Sequence, residues 1–293
     1  MLRTVGARQA ELRDLLVEGG ATALEFIGRV KPSISVESLA DELRRFVPIG
    51  SQSQREYRSA DALFRVLRQA VESTGIFVYL EGDLGSHHSR LDPSIFRGLA
   101  LKDTIAPVIV LNPNDSKGAL CFSLLHEVAH LLLGDEGLSN YAPFDERRPR
   151  NNSVERLCNG AAGEFLLPSS EVASYWDALE ESSLESRVSR LAREFSVSHT
   201  AAAYRLLRLG RIDAPTFRRL RALYHRRASQ RAAALKKQDG GPGYLRLQRY
   251  RLGEATLALV ASAVAEGSLR STRAARVLRV APTHVADLCE ARG

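Results

Sequence analysis

Phe122-Ser-Leu-Leu-His126-Glu127-Val128-Ala129-His130-Leu-Leu-Leu133 is the stretch whose reading decides the fold. Its centre spells H-E-x-x-H. On an α-helix, positions i and i+4 lie one above the other, so both imidazoles can grip one metal ion. Glu127 is turned about 100° away. That suits a carboxylate that works on water beside the metal and does not ligate it. Two histidines so spaced suit Zn²⁺, with the glutamate as general base of a metal-dependent hydrolase, usually a peptidase. Leu124, Leu125, Val128, Ala129 and Leu131 to Leu133 make the helix apolar almost all round, so it reads as a core helix. Histidines buried there need partners, because desolvating them alone is costly. The bland alternative is a pair of core histidines satisfied by hydrogen bonds.

A zinc site of this kind needs a third protein ligand and an open position. A histidine six residues after His130 is excluded, because residue 136 is Glu. The better candidate is Glu155, 25 residues after His130, in Glu155-Arg-Leu-Cys-Asn-Gly-Ala-Ala-Gly-Glu164-Phe-Leu-Leu-Pro168. Read as a helix, this segment puts Glu155, Cys158, Asn159, Ala162 and Leu166 on one face. The small residues there let a second helix approach closely. Asn159, one turn on, is placed to hydrogen-bond a ligand. Glu164 lies roughly half a rotation away and does not share the face. Taken alone, Glu155 reads equally as a solvated glutamate beside Arg156; beside H-E-x-x-H it reads as a ligand.

Several motifs then fall in order: Phe96-Arg-Gly98, Pro107-Val-Ile-Val-Leu-Asn112, His126-Glu-Val-Ala-His130, and Glu155-x-x-x-Asn159 with Glu164-Phe-Leu-Leu-Pro168. Over about residues 75–170 the chain resembles the ImmA/IrrE family of metallo-endopeptidases. The resemblance implies zinc dependence and a thermolysin-like site, with His126, His130 and Glu155 as ligands and Glu127 as the catalytic carboxylate. It also implies a substrate class, because members cleave a helix-turn-helix repressor and so relieve repression in phages, mobile elements or DNA-damage responses. Cys158 stands where the family often has Ala, and Phe165-Leu-Leu-Pro replaces Leu-Leu-Met-Pro; neither departure touches a ligand.

Composition bounds the rest. With 293 residues and 44% hydrophobic content the chain can bury a sizeable core. No apolar run reaches membrane-spanning length and the N-terminus lacks an apolar signal core, so a cytoplasmic protein is expected. Three widely spaced cysteines, Cys121, Cys158 and Cys289, suggest neither a disulfide framework nor a C-x-x-C metal site. Net charge is +7, but unevenly spread. From residue 184 on there are 22 Lys+Arg against 8 Asp+Glu, leaving 19 against 26 before it. A basic tail on an acidic catalytic portion points to nucleic acid or an acidic partner. A general taste for arginine would not by itself deplete the acids.

Periodicity predicts helices at 7–18, 35–46 and 57–73, then strands at 76–80, 96–101 and 106–111, then the motif helix capped by Ser116. The expected fold class is α+β: a zincin-like helical core with a small antiparallel sheet, followed by an all-α basic C-terminal region. One of the strands at 96–101 or 106–111 is expected to be the edge on which a substrate strand is added. Helices follow at 170–179, 184–195, 199–208, 214–237 and 253–266. Two stretches, 187–208 around Ser196 and 271–288 around Pro282, resemble helix-turn-helix units. The domains so drawn are an N-terminal helical segment (1–52), the metallopeptidase domain (53–183), a helical subdomain (184–238) and a basic C-terminal domain (244–293), with Asp239 to Gly243 as linker.

Three further sets of residues are weaker candidates. His87 and His88, or Tyr141, could polarise a substrate carbonyl, although adjacent histidines in a Gly/Ser loop are commonly solvated. Arg273, Arg276 and Arg279 carry charge suited to phosphate contact. The expected function is zinc-dependent hydrolysis of a specific protein, a helix-turn-helix repressor by resemblance. A rival reading is a DNA-binding regulator that uses a protease-like core as scaffold.

Overall fold

The computed structural model describes residues 2–57, 59–83, 89–93, 95–135, 137–139, 153–180, 183–235 and 243–290. Helices α1 (Leu2–Glu18), α2 (Val36–Phe46), α3 (Ser51–Glu56) and α4 (Ala60–Glu72) come first. Strands β1 (Phe77–Leu80), β2 (Gly98–Leu101) and β3 (Val108–Leu111) precede α5 (Lys117–Leu133) and β4 (Gly137–Ser139). Then follow α6 (Ser153–Leu166), α7 (Ser169–Asp177), α8 (Leu184–Glu194), α9 (His199–Arg208) and α10 (Ala214–Leu235). The chain closes with α11 (Tyr244–Leu252), α12 (Glu254–Ala265), α13 (Ser271–Leu278) and, after a 3₁₀ turn, α14 (Val285–Glu290). The class is α+β, as expected. No helix among the described residues is long and apolar enough to cross a membrane.

The motif helix starts and stops where its sequence says it should. Ser116 accepts from the Ala119 amide, satisfying one of the free N–H groups of the first turn. Gly134 ends the helix at φ 68, a left-handed conformation that glycine adopts without a Cβ penalty. Every residue from Leu120 to Leu133 is buried. A helix with no polar face must be enclosed on all sides. Here α2, α4, α6 and the strands β2 and β3 enclose it.

The sheet runs in the order β1-β3-β2-β4. It corrects the expectation of an antiparallel sheet: β1 and β3 are parallel, while β2 runs antiparallel to both β3 and β4. It also corrects the substrate-edge expectation, because β2 and β3 are both inner strands among the described residues. Both sheet faces are covered. Val78, Leu80, Ala100, Ile109 and Leu111 join the core around α5. Phe77, Tyr79, Leu99, Val108 and Val110 join a second core with α1 and helices α12 to α14. The period-2 alternation of the strands thus sorts residues between two cores.

The basic C-terminal stretch is therefore packed onto the sheet. A buried clasp ties it to α4: Arg68 bonds Glu72 at 3.0 Å and also the Tyr250 carbonyl. Glu72 in turn accepts from the Glu254 amide at 3.0 Å, capping α12. Gly253, at φ 81, passes so close that a Cβ there would lie 2.0 Å from the Glu72 carboxylate. In the core beyond, the Tyr79 and Thr256 hydroxyls bond at 3.1 Å. Burial is what pushes the Tyr79 hydroxyl up to about 12. The pairs α8–α9 and α13–α14 are each helix, turn and helix, with Ser196 and Arg279 at positive φ in or beside the turns.

Candidate metal centre

Helices α5 and α6 bring together His126, His130 and Glu155. The His126 Nε2 and His130 Nε2 atoms are 3.0 Å apart. Glu155 Oε2 lies 3.4 Å from the first and Oε1 lies 3.3 Å from the second. A tetrahedral ion with ligands at about 2.0–2.1 Å sets its ligand atoms about 3.3–3.4 Å apart. The two imidazole nitrogens and the two carboxylate oxygens thus stand near the spacing one cation needs, and these three residues are the one such group among the described residues. Two imidazoles and one carboxylate also match the donor set of a hydrolytic metal site with an open fourth position. The residues present fit a divalent cation.

The electrostatics point the same way. Burial disfavours charge on Glu155, but its bonds to His126 and His130 hold the carboxyl far below its usual range. Burial likewise opposes charge on His130, yet its bonds to Cys158 and Glu155, with the nearby Glu127, raise it to about 11. The pocket is built to hold positive charge between these side chains. A divalent cation there would take the place of the proton as the positive partner.

Glu127 is fully buried on the same helix. What gives its carboxylate room is Gly98 on β2: a Cβ at that position would sit 2.5 Å from Glu127 Oε1. Gly98 has no positive φ, so space alone demands glycine there. The sequence motif around it is scaffolding. Arg97 pairs with Asp115. The Asn112 amide donates to the carbonyls of Phe96 at 2.9 Å and Leu91 at 3.1 Å. These bonds fix β2 across α5.

Asp135 was not singled out by the sequence, yet its Oδ2 lies 3.2 Å from His130 Nδ1. A carboxylate there fixes the tautomer that leaves Nε2 free for a metal. The signal available was Gly134: a left-handed cap turns the chain back, and the Asp135 amide returns to the His130 carbonyl at 2.9 Å. Asn159 donates to the Glu155 backbone carbonyl at 2.6 Å, so it bonds the ligand's main chain. Cys158 is fully buried against His130, and burial pushes its thiol up. Glu164 faces away from the ligands, accepting from Ser169 at 2.8 Å and pairing with Arg205.

His88 and Tyr141 lie outside the described residues. The three C-terminal arginines stand apart from the metal centre. Arg273 pairs with Glu11 at 3.1 Å and Glu18 at 2.9 Å, and Arg279 pairs with Glu81 at 3.6 Å. Arg276 is exposed on α13.

Residues 72–207 match the model of the M78 peptidase family, described as an IrrE N-terminal-like domain. Over that stretch the chain is similar to the ImmA/IrrE peptidase family. The match runs from the end of α4 through α9, so it takes in the sheet, both ligand helices and the α8–α9 pair. It supports a metallopeptidase-type function and implies a protein substrate. No curated protein matches the chain.

Proposed function

We propose that the chain is a zinc-dependent endopeptidase with one or a few protein targets, foremost a helix-turn-helix transcriptional repressor in the cytoplasm. Its cleavage would relieve repression in a stress, phage or mobile-element response. The observation that carries the reading is the cluster of His126, His130 and Glu155, whose imidazole nitrogens and carboxylate oxygens lie 3.0 to 3.4 Å from one another across the three contacts, backed by the buried Glu127. Two imidazoles and a carboxylate favour zinc, which when bound supplies Lewis acidity toward water and a peptide carbonyl. His126, His130 and Glu155 would hold it. Asp135 holds the His130 ring in place. Glu127 takes a proton from water and passes it to the leaving nitrogen. Its carboxylate is pinned between α5 and Gly98, so its direction is set before substrate arrives.

A cleft of about 730 Å³ along α6 shares Phe122 with this centre, the Phe122 ring stacking on His126 at 6.3 Å between centroids. Leu157, Gly160, Tyr204 and Arg208 also line it, which suits a substrate side chain. The repressor target rests on the family resemblance alone. The test is cleavage of a repressor encoded beside this chain by wild type and Glu127→Gln. Loss of at least about 100-fold in the variant is expected of a missing general base. Equal activity in both refutes the mechanism.

A further inference from the structure

The surplus positive charge of the C-terminal third is not equally available to a partner. Arg251 is paired with Asp83 at 2.9 Å, Arg273 with Glu11 and Glu18, and Arg279 with Glu81. These arginines fasten α1, the sheet and the C-terminal helices to one another. A different set faces solvent together. Helices α8 and α10 present Arg190, Arg193, Arg219 and Arg227 into one open groove of about 810 Å³, against the single carboxylate of Glu185. All four arginines are exposed.

We propose that this groove binds the phosphate backbone of double-stranded DNA, in addition to whatever the metal centre does. Arg190 bonds the Tyr175 side chain, and the groove's other contacts are cheap to exchange. Arg227 and Glu185 meet at 3.0 Å, but their side chains are 55% and 50% exposed, and such surface pairs contribute little. Arg193 Nε donates to the Ser189 carbonyl of its own helix at 3.5 Å, a long and weak bond. Guanidinium forks and serine hydroxyls, here including Ser186 and Ser189, are the side chains that donate to phosphate oxygens.

The lining also says which anion fits. None of the lining residues is aromatic, so unstacked single-strand bases find no platform. None is Asn or Gln, and no adenine edge is read in the usual way. Exposed arginines along an open groove make the proposed contact one to backbone phosphates. Arg219 and Arg227 stand eight residues apart on α10, about 12 Å along its axis. Arg218 and Arg226 repeat that interval on the exposed side of the same helix. A row of charge that long matches a linear polyanion better than an isolated acidic side chain.

The experiment uses the full chain and a labelled 20-base-pair duplex of arbitrary sequence, read by fluorescence anisotropy between 50 and 200 mM salt. Four phosphates neutralised give a log–log salt slope near −3.6, or about a 150-fold loss of affinity over that range. The double variant Arg193→Gln/Arg219→Gln should halve the slope and lose only about 12-fold over the same range. Both positions are exposed, so its thermal midpoint should match wild type. Arg276→Gln on α13 and Glu127→Gln should bind as wild type, the latter separating this groove from the peptidase reading. Any of three results overturns the proposal. They are no binding at 50 mM salt, an unchanged slope in the double variant, or polyglutamate displacing the duplex at lower concentration than unlabelled duplex does.

Discussion

Replacing Gly98 by Ala perturbs Glu127, the proposed general base, while leaving the three proposed metal-holding side chains alone. The new Cβ would lie 2.5 Å from Glu127 Oε1 and 3.1 Å from its Cγ and Cδ. An ordinary contact needs close to 3.4 Å, so the carboxylate must retreat by about 0.9 Å. It has nowhere easy to go, since Glu127 is fully buried and α5 is enclosed on every side. Gly98 lies in a regular strand without positive φ, so the backbone itself accepts alanine. The strain falls on the packing and should cost about 1–3 kcal/mol of stability. A displacement of about 1 Å in a catalytic group costs on the order of 100-fold in rate. Two assays decide the matter: zinc affinity by chelator competition, and cleavage rate on the protein substrate. The expected result is near-normal affinity with cleavage down by roughly two orders of magnitude. Normal cleavage, or loss of metal binding to the same extent as cleavage, would refute the assignment of Gly98 to the Glu127 carboxylate.

Asp135→Ala should weaken zinc binding by about 10- to 100-fold, with Asp135→Asn in between because its carbonyl can still accept from Nδ1; identical affinities in all three proteins would remove Asp135 from the site. Chelator-treated protein should lose stability as pH rises from 6.5 toward about 11, because His130 is raised in the folded state and its contribution is complete only below its ordinary value of 6.5. Glu155 is lowered, so its contribution is complete above its ordinary 4.5 and fades in acid; zinc affinity has the opposite slope to His130 and rises with pH as protons compete less. Thermal midpoints with chelator, for wild type and Glu155→Gln, check this: the variant should show a flatter alkaline decline. Glu72→Ala should cost about 3–5 kcal/mol in urea unfolding, since it leaves the buried Arg68 guanidinium without its carboxylate and α12 without its cap; a change under about 1 kcal/mol would mean that water replaces the clasp.

What the sequence disclosed follows from how local each signal is. The helix from Lys117 to Leu133 was readable because its apolar girth and its histidine spacing sit within 17 residues and its cap immediately precedes them. Glu155 stood out because it shares a helical face with Cys158 and Ala162, both buried on α6, which packs against α5. Strand direction was not readable. Four-residue strands buried on both faces, such as β1 and β3, look alike whichever way they run. The partners of Arg273 were beyond reach too, since Glu11 lies 262 residues away. Charge counting saw the arginines and could not see that some of them face acids on α1.

The least legible feature is also the one on which the chemistry turns, because it is a matter of register. In β2, Gly98 faces Glu127 and Ala100 enters the core around α5, while Leu99 between them enters the core shared with the C-terminal helices. Sliding the strand by one residue would exchange these faces and drive Leu99 into the Glu127 carboxylate. The pairing of Gly98 with Leu111 and Leu99 with Val110 prevents that slip. Asn112, immediately after β3, reinforces it by donating its amide to the Phe96 carbonyl and its backbone N–H to that of Arg97. Leu99 is held from behind by the same core that contains Leu257, Val260 and Leu278. The basic C-terminal helices thus contribute to the candidate metal centre without touching it: they close the apolar face whose burial locks the strand that aims the proposed base.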